Sequence, residues 1–216
     1  MVKPEYALSY SRARGEPNWV AWHVTASDLG DVKRKDDFRP DSSLPSGWPR
    51  VTPSDYARSG YDKGHVCPSA DRTADPETNS ATFLMTNMIP QAGDNNRGPW
   101  KLLEDYCRNL VESGNDIFII AGAYGEKERL KGKISVPTNT WKVVVVVPQG
   151  ANLAKDVTND TRVIAINIPN NEGIKGDDWR KYRTTVRAIE QATGLNLLNK
   201  VSSDVQNVIE NRLDDK

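Results

Sequence analysis

Residues 98–110, Gly98-Pro99-Trp100-Lys101-Leu102-Leu103-Glu104-Asp105-Tyr106-Cys107-Arg108-Asn109-Leu110, decide how the chain around them is read. Trp100, Leu103, Tyr106, Cys107 and Leu110 recur at the three- and four-residue spacing of one helix face. Proline is tolerated in a first helical turn and glycine is favoured just past a last one, so the pattern predicts a helix from near Pro99 to Gly114. Before it, the apolar run Ala81-Thr82-Phe83-Leu84-Met85-Thr86-Asn87-Met88 predicts a strand that leads into the turn-forming residues 90–96. After it, residues 117–121, 141–147 and 162–168 are β-branched runs of strand length, the middle one apolar enough to be buried on both faces.

Farther out, the aromatic and β-branched residues 18–24 predict another strand. Residues 178–193 read as a helix closed by Gly194, and 203–213 as a helix with a serine cap. From Asp28 to about Ser59 the chain carries Pro40, Pro45, Gly47, Pro49 and Pro53 among many charges, which predicts irregular loops. Loops this long inside a compact domain are often functional. No repeat, low-complexity tract or linker divides the 216 residues, so one α+β domain over 1–216 is expected.

Lys and Arg equal Asp and Glu, 29 against 29, so attraction for a polyanion would have to be local. No apolar run approaches the roughly 20 residues that span a bilayer, and Met1-Val2-Lys3-Pro4 lacks the apolar stretch of a signal peptide. No membrane partner is expected. Two cysteines, Cys67 and Cys107, are too few for a disulfide framework or a zinc knuckle; free thiols and a single bridge both remain open. With only His23 and His65 as imidazoles, a bound metal would need oxygen ligands.

His65, in Tyr61-Asp62-Lys63-Gly64-His65, can accept a proton near neutral pH, although a solitary histidine is equally a packed or surface residue. Asn96, Trp100, Glu104 and Arg108 are spaced by four, so Glu104 and Arg108 share a helix face with Asn96 just before the entrance. A neutral carbonyl oxygen suits a hard cation such as Mg²⁺, which keeps most of its water and uses few protein ligands. The same spacing also fits Asn96 as a cap residue and Glu104 with Arg108 as a surface ion pair.

The segment from Tyr61 to Arg72, Tyr-Asp-Lys-Gly-His-Val-Cys-Pro-Ser-Ala-Asp-Arg, followed by Phe83-Leu84-Met85-Thr86-Asn87-Met88-Ile89-Pro90-Gln91 and Asp94-Asn95-Asn96-Arg97, resembles the DNA/RNA non-specific endonucleases of the ββα-metal superfamily. The likeness is greatest to the family's cyanobacterial extracellular members and runs from about Trp19 to the terminal helices. It implies an α+β ββα-metal fold, with a central, mostly antiparallel sheet flanked by helices. The implied activity is metal-dependent hydrolysis of DNA and RNA, single- or double-stranded, to 5′-phosphorylated products. The resemblance makes His65 the general base, Asn96 the direct ligand of Mg²⁺ (Mn²⁺ being the alternative), and Glu104 a ligand through water. Asn87 would support the site, while Arg39 and Arg108 would contact phosphate. Lys63 stands where the family motif carries arginine, which keeps the charge but removes the planar fork that grips two oxygens. A secreted or periplasmic home and a protein inhibitor are further expectations.

His23 matches no family position and is read as structural. Two rival readings stand beside the endonuclease: a metal-free ribonuclease using His23 and His65 as acid and base, and a nucleic-acid binder without activity.

Overall fold

The computed structural model describes residues 1–216, the side chains of Leu153 and Ala154 excepted. Five antiparallel strands form the central sheet in the order β1 (Ala7–Ser11), β2 (Glu16–Val24), β5 (Asn115–Tyr124), β8 (Asn139–Pro148) and β9 (Arg162–Pro169). The remaining strands pair in two short hairpins, β3 (Tyr61–His65) with β4 (Met88–Ala92) and β6 (Glu128–Leu130) with β7 (Ile134–Val136). The α-helices of six residues or more are α1 (Pro76–Ala81), α2 (Lys101–Glu112), α3 (Val186–Thr193) and α4 (Ser203–Ile209).

The expected strands at 18–24, 117–121, 141–147 and 162–168 all lie in the central sheet. Successive residues of a strand point to opposite faces. Val144 of β8 therefore packs with Trp22, Ile119, Trp100, Leu103 and Cys107 beneath α2, while Val143, Val145 and Val147 pack with Ile189 and Ile209 beneath α3 and α4. Both faces of β8 are covered, as the valine run requires. A third cluster, with Val51, Tyr56, Met85, Met88 and Ile134, joins the two hairpins.

Three boundaries differ from expectation. The run 81–88 is not a strand: α1 ends at Ala81, residues Met85–Asn87 form a 3₁₀ turn, and the strand begins at Met88. Its apolar side chains fit a buried turn as well as a buried strand, because Phe83, Met85 and Met88 are all sealed from solvent. The helix expected over 178–193 is divided into a 3₁₀ turn, Trp179–Tyr182, and α3, whose N-cap Thr185 accepts from the Ala188 amide and whose end is Gly194 in the left-handed region at φ 71°. The last helix stops at Ile209, and its N-cap Ser202 makes no side-chain cap bond.

Asn87 sits at the junction of turn and hairpin, wholly buried. Its carboxamide oxygen accepts from the Cys67 amide at 2.9 Å, and its Nδ2 donates to the carbonyls of Cys67 at 2.8 Å and Thr82 at 2.9 Å. The Val66 amide donates to the Asn87 carbonyl. Three of these four bonds clamp the backbone directly after His65 against the start of β4, and the fourth ties Asn87 to Thr82.

Candidate active site

Strand β3, the turn before α2 and the first two turns of α2 converge on a cleft of about 370 Å³. It is lined by Arg34, Lys63, His65, Asn96, Glu104 and Arg108, with Arg97 and Lys101 at its margin. β3 pairs with β4 so that His65 lies opposite Met88 and Asp62 opposite Gln91. Gly64 is required by contact: a Cβ there would lie 2.3 Å from the Gln91 side-chain oxygen.

Asp62 ties β3 to the turn that carries Asn96. Its carboxylate accepts from Asn96 Nδ2 at 2.9 Å and from Arg97 through Nε at 2.9 Å and Nη2 at 2.7 Å. Burial pushes the Asp62 carboxyl up, but these bonds outweigh it and hold the group below the usual carboxylate range. An ionised carboxylate only accepts, so the end of Asn96 facing Asp62 is the NH₂ group and the carbonyl oxygen is the end left free. The following segment, Asn96–Trp100, is a wide helical turn containing Gly98 at φ −111° and ψ −117°. A Cβ at Gly98 would stand 2.7 Å from the Lys175 carbonyl. The preceding turn is latched by Glu172, whose two oxygens accept from the Gly93 and Asp94 amides at 2.7 and 3.1 Å.

From α2, Glu104 reaches the cleft with its side chain 12% exposed, its Oε1 3.4 Å from the buried Lys142 ammonium. Burial raises the Glu104 carboxyl and Lys142 opposes that rise. Arg108 is fixed by Asp71 at 2.8 Å and by Asp105, and Asp71 also accepts from the Trp22 indole. Lys63 holds its ammonium 4.6 Å from the Phe38 ring centroid.

His65 packs edge-on against Phe83, with ring centroids 4.8 Å apart, and is tilted against Phe38. Its Nε2 is sealed without a hydrogen-bond partner, which leaves Nδ1 as the nitrogen able to face the cleft. Burial, followed by repulsion from Arg34 and Lys63, holds the imidazolium down to about 3. The ring is therefore neutral, with a free lone pair, throughout the physiological range.

The cleft thus gathers His65, Lys63, Asn96, Glu104 and Arg108, with Asn87 behind the backbone that follows His65. Arg39 lies elsewhere. Its guanidinium donates to Asp37 and to the Ser80 carbonyl at 2.9 Å, on a separate depression beside α1. Arg34, five residues earlier in the same irregular loop, lines the cleft instead: it donates to Ser69 at 3.0 Å and lies 4.8 Å over the Phe83 ring. The loop between them turns through Asp36, at φ 52°, so sequence distance gave no guide to direction. His23 is remote from this set, stacked on Phe118 at 4.2 Å. Cys67 and Cys107 are free, buried thiols.

The model of the DNA/RNA non-specific endonuclease family matches residues 1–204. The chain belongs to that family. It is 52% identical to a nuclease of Nostoc sp. over 99% of this chain and 78% of the relative. A mitochondrial nuclease of Danio rerio is 31% identical over 88% of this chain and 58% of its own length, so the chain spans little more than half of that relative. Among solved structures, the EndoG/EndoGI complex, described as giving the mechanism of EndoG inhibition, matches with a TM-score of 0.79 and 26% identity over 94% of this chain and 86% of the other. Membership supports an endonuclease acting on nucleic acid and agrees with the mixed α+β fold.

Two outcomes follow from this geometry. Arg34→Ala should lower kcat/KM on plasmid DNA by roughly 10²-fold, the scale of one lost transition-state donor, and Arg39→Ala by no more than about threefold. The reverse order would return the phosphate contact to Arg39. In the proton NMR spectrum of the metal-free protein, His65 should keep its neutral-ring shift as the pH falls from 8 to 5, because its shift is downward; a midpoint near 6.5 would contradict the buried, cation-flanked setting.

Proposed function

We propose that this protein is a divalent-cation-dependent, sugar-non-specific endonuclease that hydrolyses DNA and RNA to 5′-phosphorylated products. His65 is its general base and Asn96 its direct ligand for Mg²⁺ or Mn²⁺. The observation that carries the reading is the bond from Asn96 Nδ2 to Asp62, which leaves the Asn96 carbonyl oxygen free in the cleft shared with His65 and Glu104. Among the described residues no group of three or more His, Cys, Asp or Glu side chains could enclose an ion. One amide oxygen with one nearby carboxylate suits a hard cation that retains most of its water.

A cation held there would neutralise charge on the phosphoryl oxygens and on the departing 3′ oxygen. Asn96 would ligate it directly and Glu104 would bind its hydration water. Arg34 and Lys63 would hold the phosphate beside His65, and Arg108, fixed by Asp71, would stabilise charge from the helix side. Nδ1 of His65 would take the proton from the attacking water. None of these roles uses a ribose 2′-hydroxyl, so DNA and RNA are equivalent at the reacting centre, and contacts made to phosphate carry little sequence information. A protein inhibitor that covers this cleft is proposed by analogy with the EndoG/EndoGI complex.

Supercoiled plasmid and single-stranded RNA should both be cleaved, and chelation should stop both reactions. His65→Ala should lose about 10²- to 10⁴-fold in rate while retaining its fold by circular dichroism. Cleavage of DNA in excess chelator would overturn the cation's role, and cleavage of RNA alone would favour a metal-free ribonuclease.

A further inference from the structure

Lys142 is a buried charged residue that the mechanism above leaves unused. It lies in the middle of β8, opposite Ala121 of β5 and Ile166 of β9, inside Trp141-Lys142-Val143-Val144-Val145-Val146-Val147. A lysine on a central strand, 1% exposed, is costly to bury unless it is paired. Its ammonium lies 4.0 Å from the Trp100 ring centroid and 5.9 Å from that of Trp22. Glu104, at 3.4 Å, is its only carboxylate partner among the described residues. The two indoles and the strand restrict where the ammonium can go, and its pair is the one carboxylate that lines the cleft.

We infer that Lys142 is a positioning residue for the cation site: by engaging Oε1 of Glu104 from inside the protein, it fixes the carboxylate so that the second oxygen is presented to the cleft. This rests on the reading of Asn96 and Glu104 as the cation's holders. It gives a physical reason for a charge inside a valine run. Without that ammonium, the Glu104 side chain would lose the anchor on its buried side and could turn among rotamers. Outer partners of this kind set metal affinity through the orientation of the groups they hold.

A mere nearby positive charge and an anchor predict opposite results. Removing a positive charge near a cation site tightens cation binding by reducing repulsion, whereas removing an anchor weakens it. Mn²⁺ binding to the purified protein, followed by the loss of the free-ion electron paramagnetic resonance signal, distinguishes them without reference to activity. Lys142→Met, which keeps the stem and removes the charge, should raise the Kd about tenfold or more. In a Glu104→Ala background the same change should leave Kd within about twofold or lower it, because no side chain remains there for the ammonium to anchor. In the cleavage assay at saturating metal, KM for plasmid should stay within about twofold while kcat falls. Lys142→Gln, which retains an N–H donor, is the second variant should the methionine prevent folding, with the same direction and a smaller rise expected.

Unchanged or tighter Mn²⁺ binding in a folded Lys142 variant overturns the inference, as does an equal effect with and without Glu104. Asn96→Ala separates this from failure of the site itself. If the parent binds Mn²⁺ and Asn96→Ala weakens it, the site stands and Lys142 alone is judged. If the parent binds none, or Asn96→Ala changes nothing, both readings fall.

Discussion

The carboxylate of Asp62 connects the parts of the cleft. It stands on β3 three residues before His65, and it grips the turn that begins α2 through Asn96 Nδ2 and the Arg97 guanidinium. Paired charge-assisted bonds of this kind fix orientation as well as distance. One acid therefore sets the separation between the strand that carries the base and the helix that carries Glu104 and Arg108. It also decides which end of the Asn96 carboxamide is free. Without it the amide could rotate by half a turn at little cost and offer N–H groups to a cation. The Gly98 contact with Lys175 and the Glu172 latch support the same turn from its other side.

Charge is arranged locally in a chain whose total is balanced. Five basic side chains, Arg34, Lys63, Arg97, Lys101 and Arg108, line or border the cleft beside a single carboxylate, Glu104. Asp62 holds Arg97, Asp71 and Asp105 hold Arg108, and Asp105 also pairs with Lys101, so three of them are held by direct bonds. A phosphodiester would meet positive groups already fixed in direction, which reduces the reorganisation needed as charge develops. Burial, with Arg34 and Lys63 from this set, keeps His65 neutral.

Much of this was readable where a residue's environment follows from its period. The four-residue spacing of Glu104 and Arg108 placed both on one side of α2 with Asn96 ahead of its entrance, and the β-branched runs placed β5, β8 and β9. Legibility failed where direction is set by distant contacts. Arg34 and Arg39 lie in a loop without periodicity, and bonds to Ser69 in one case and Ser80 in the other decide which reaches His65. The run 81–88 is apolar because it is buried, and burial alone does not distinguish a turn from a strand. Lys142 was hidden by its neighbours: five consecutive valines dominate the window, and the pairing with Glu104, 38 residues away, is invisible to local pattern.

On the proposed reading, Asp62 turns the Asn96 carbonyl oxygen toward a divalent cation. Anomalous X-ray diffraction from a crystal soaked in Mn²⁺ tests this most directly. One strong peak is expected at about 2.1 Å from Asn96 Oδ1, the distance of a small octahedral cation, with Asp62 still bound to Nδ2 and Glu104 reaching the ion only through water. A peak on the Asp62 carboxylate with the Asn96 amide released, or one held by Glu104 and not by Asn96, would contradict it.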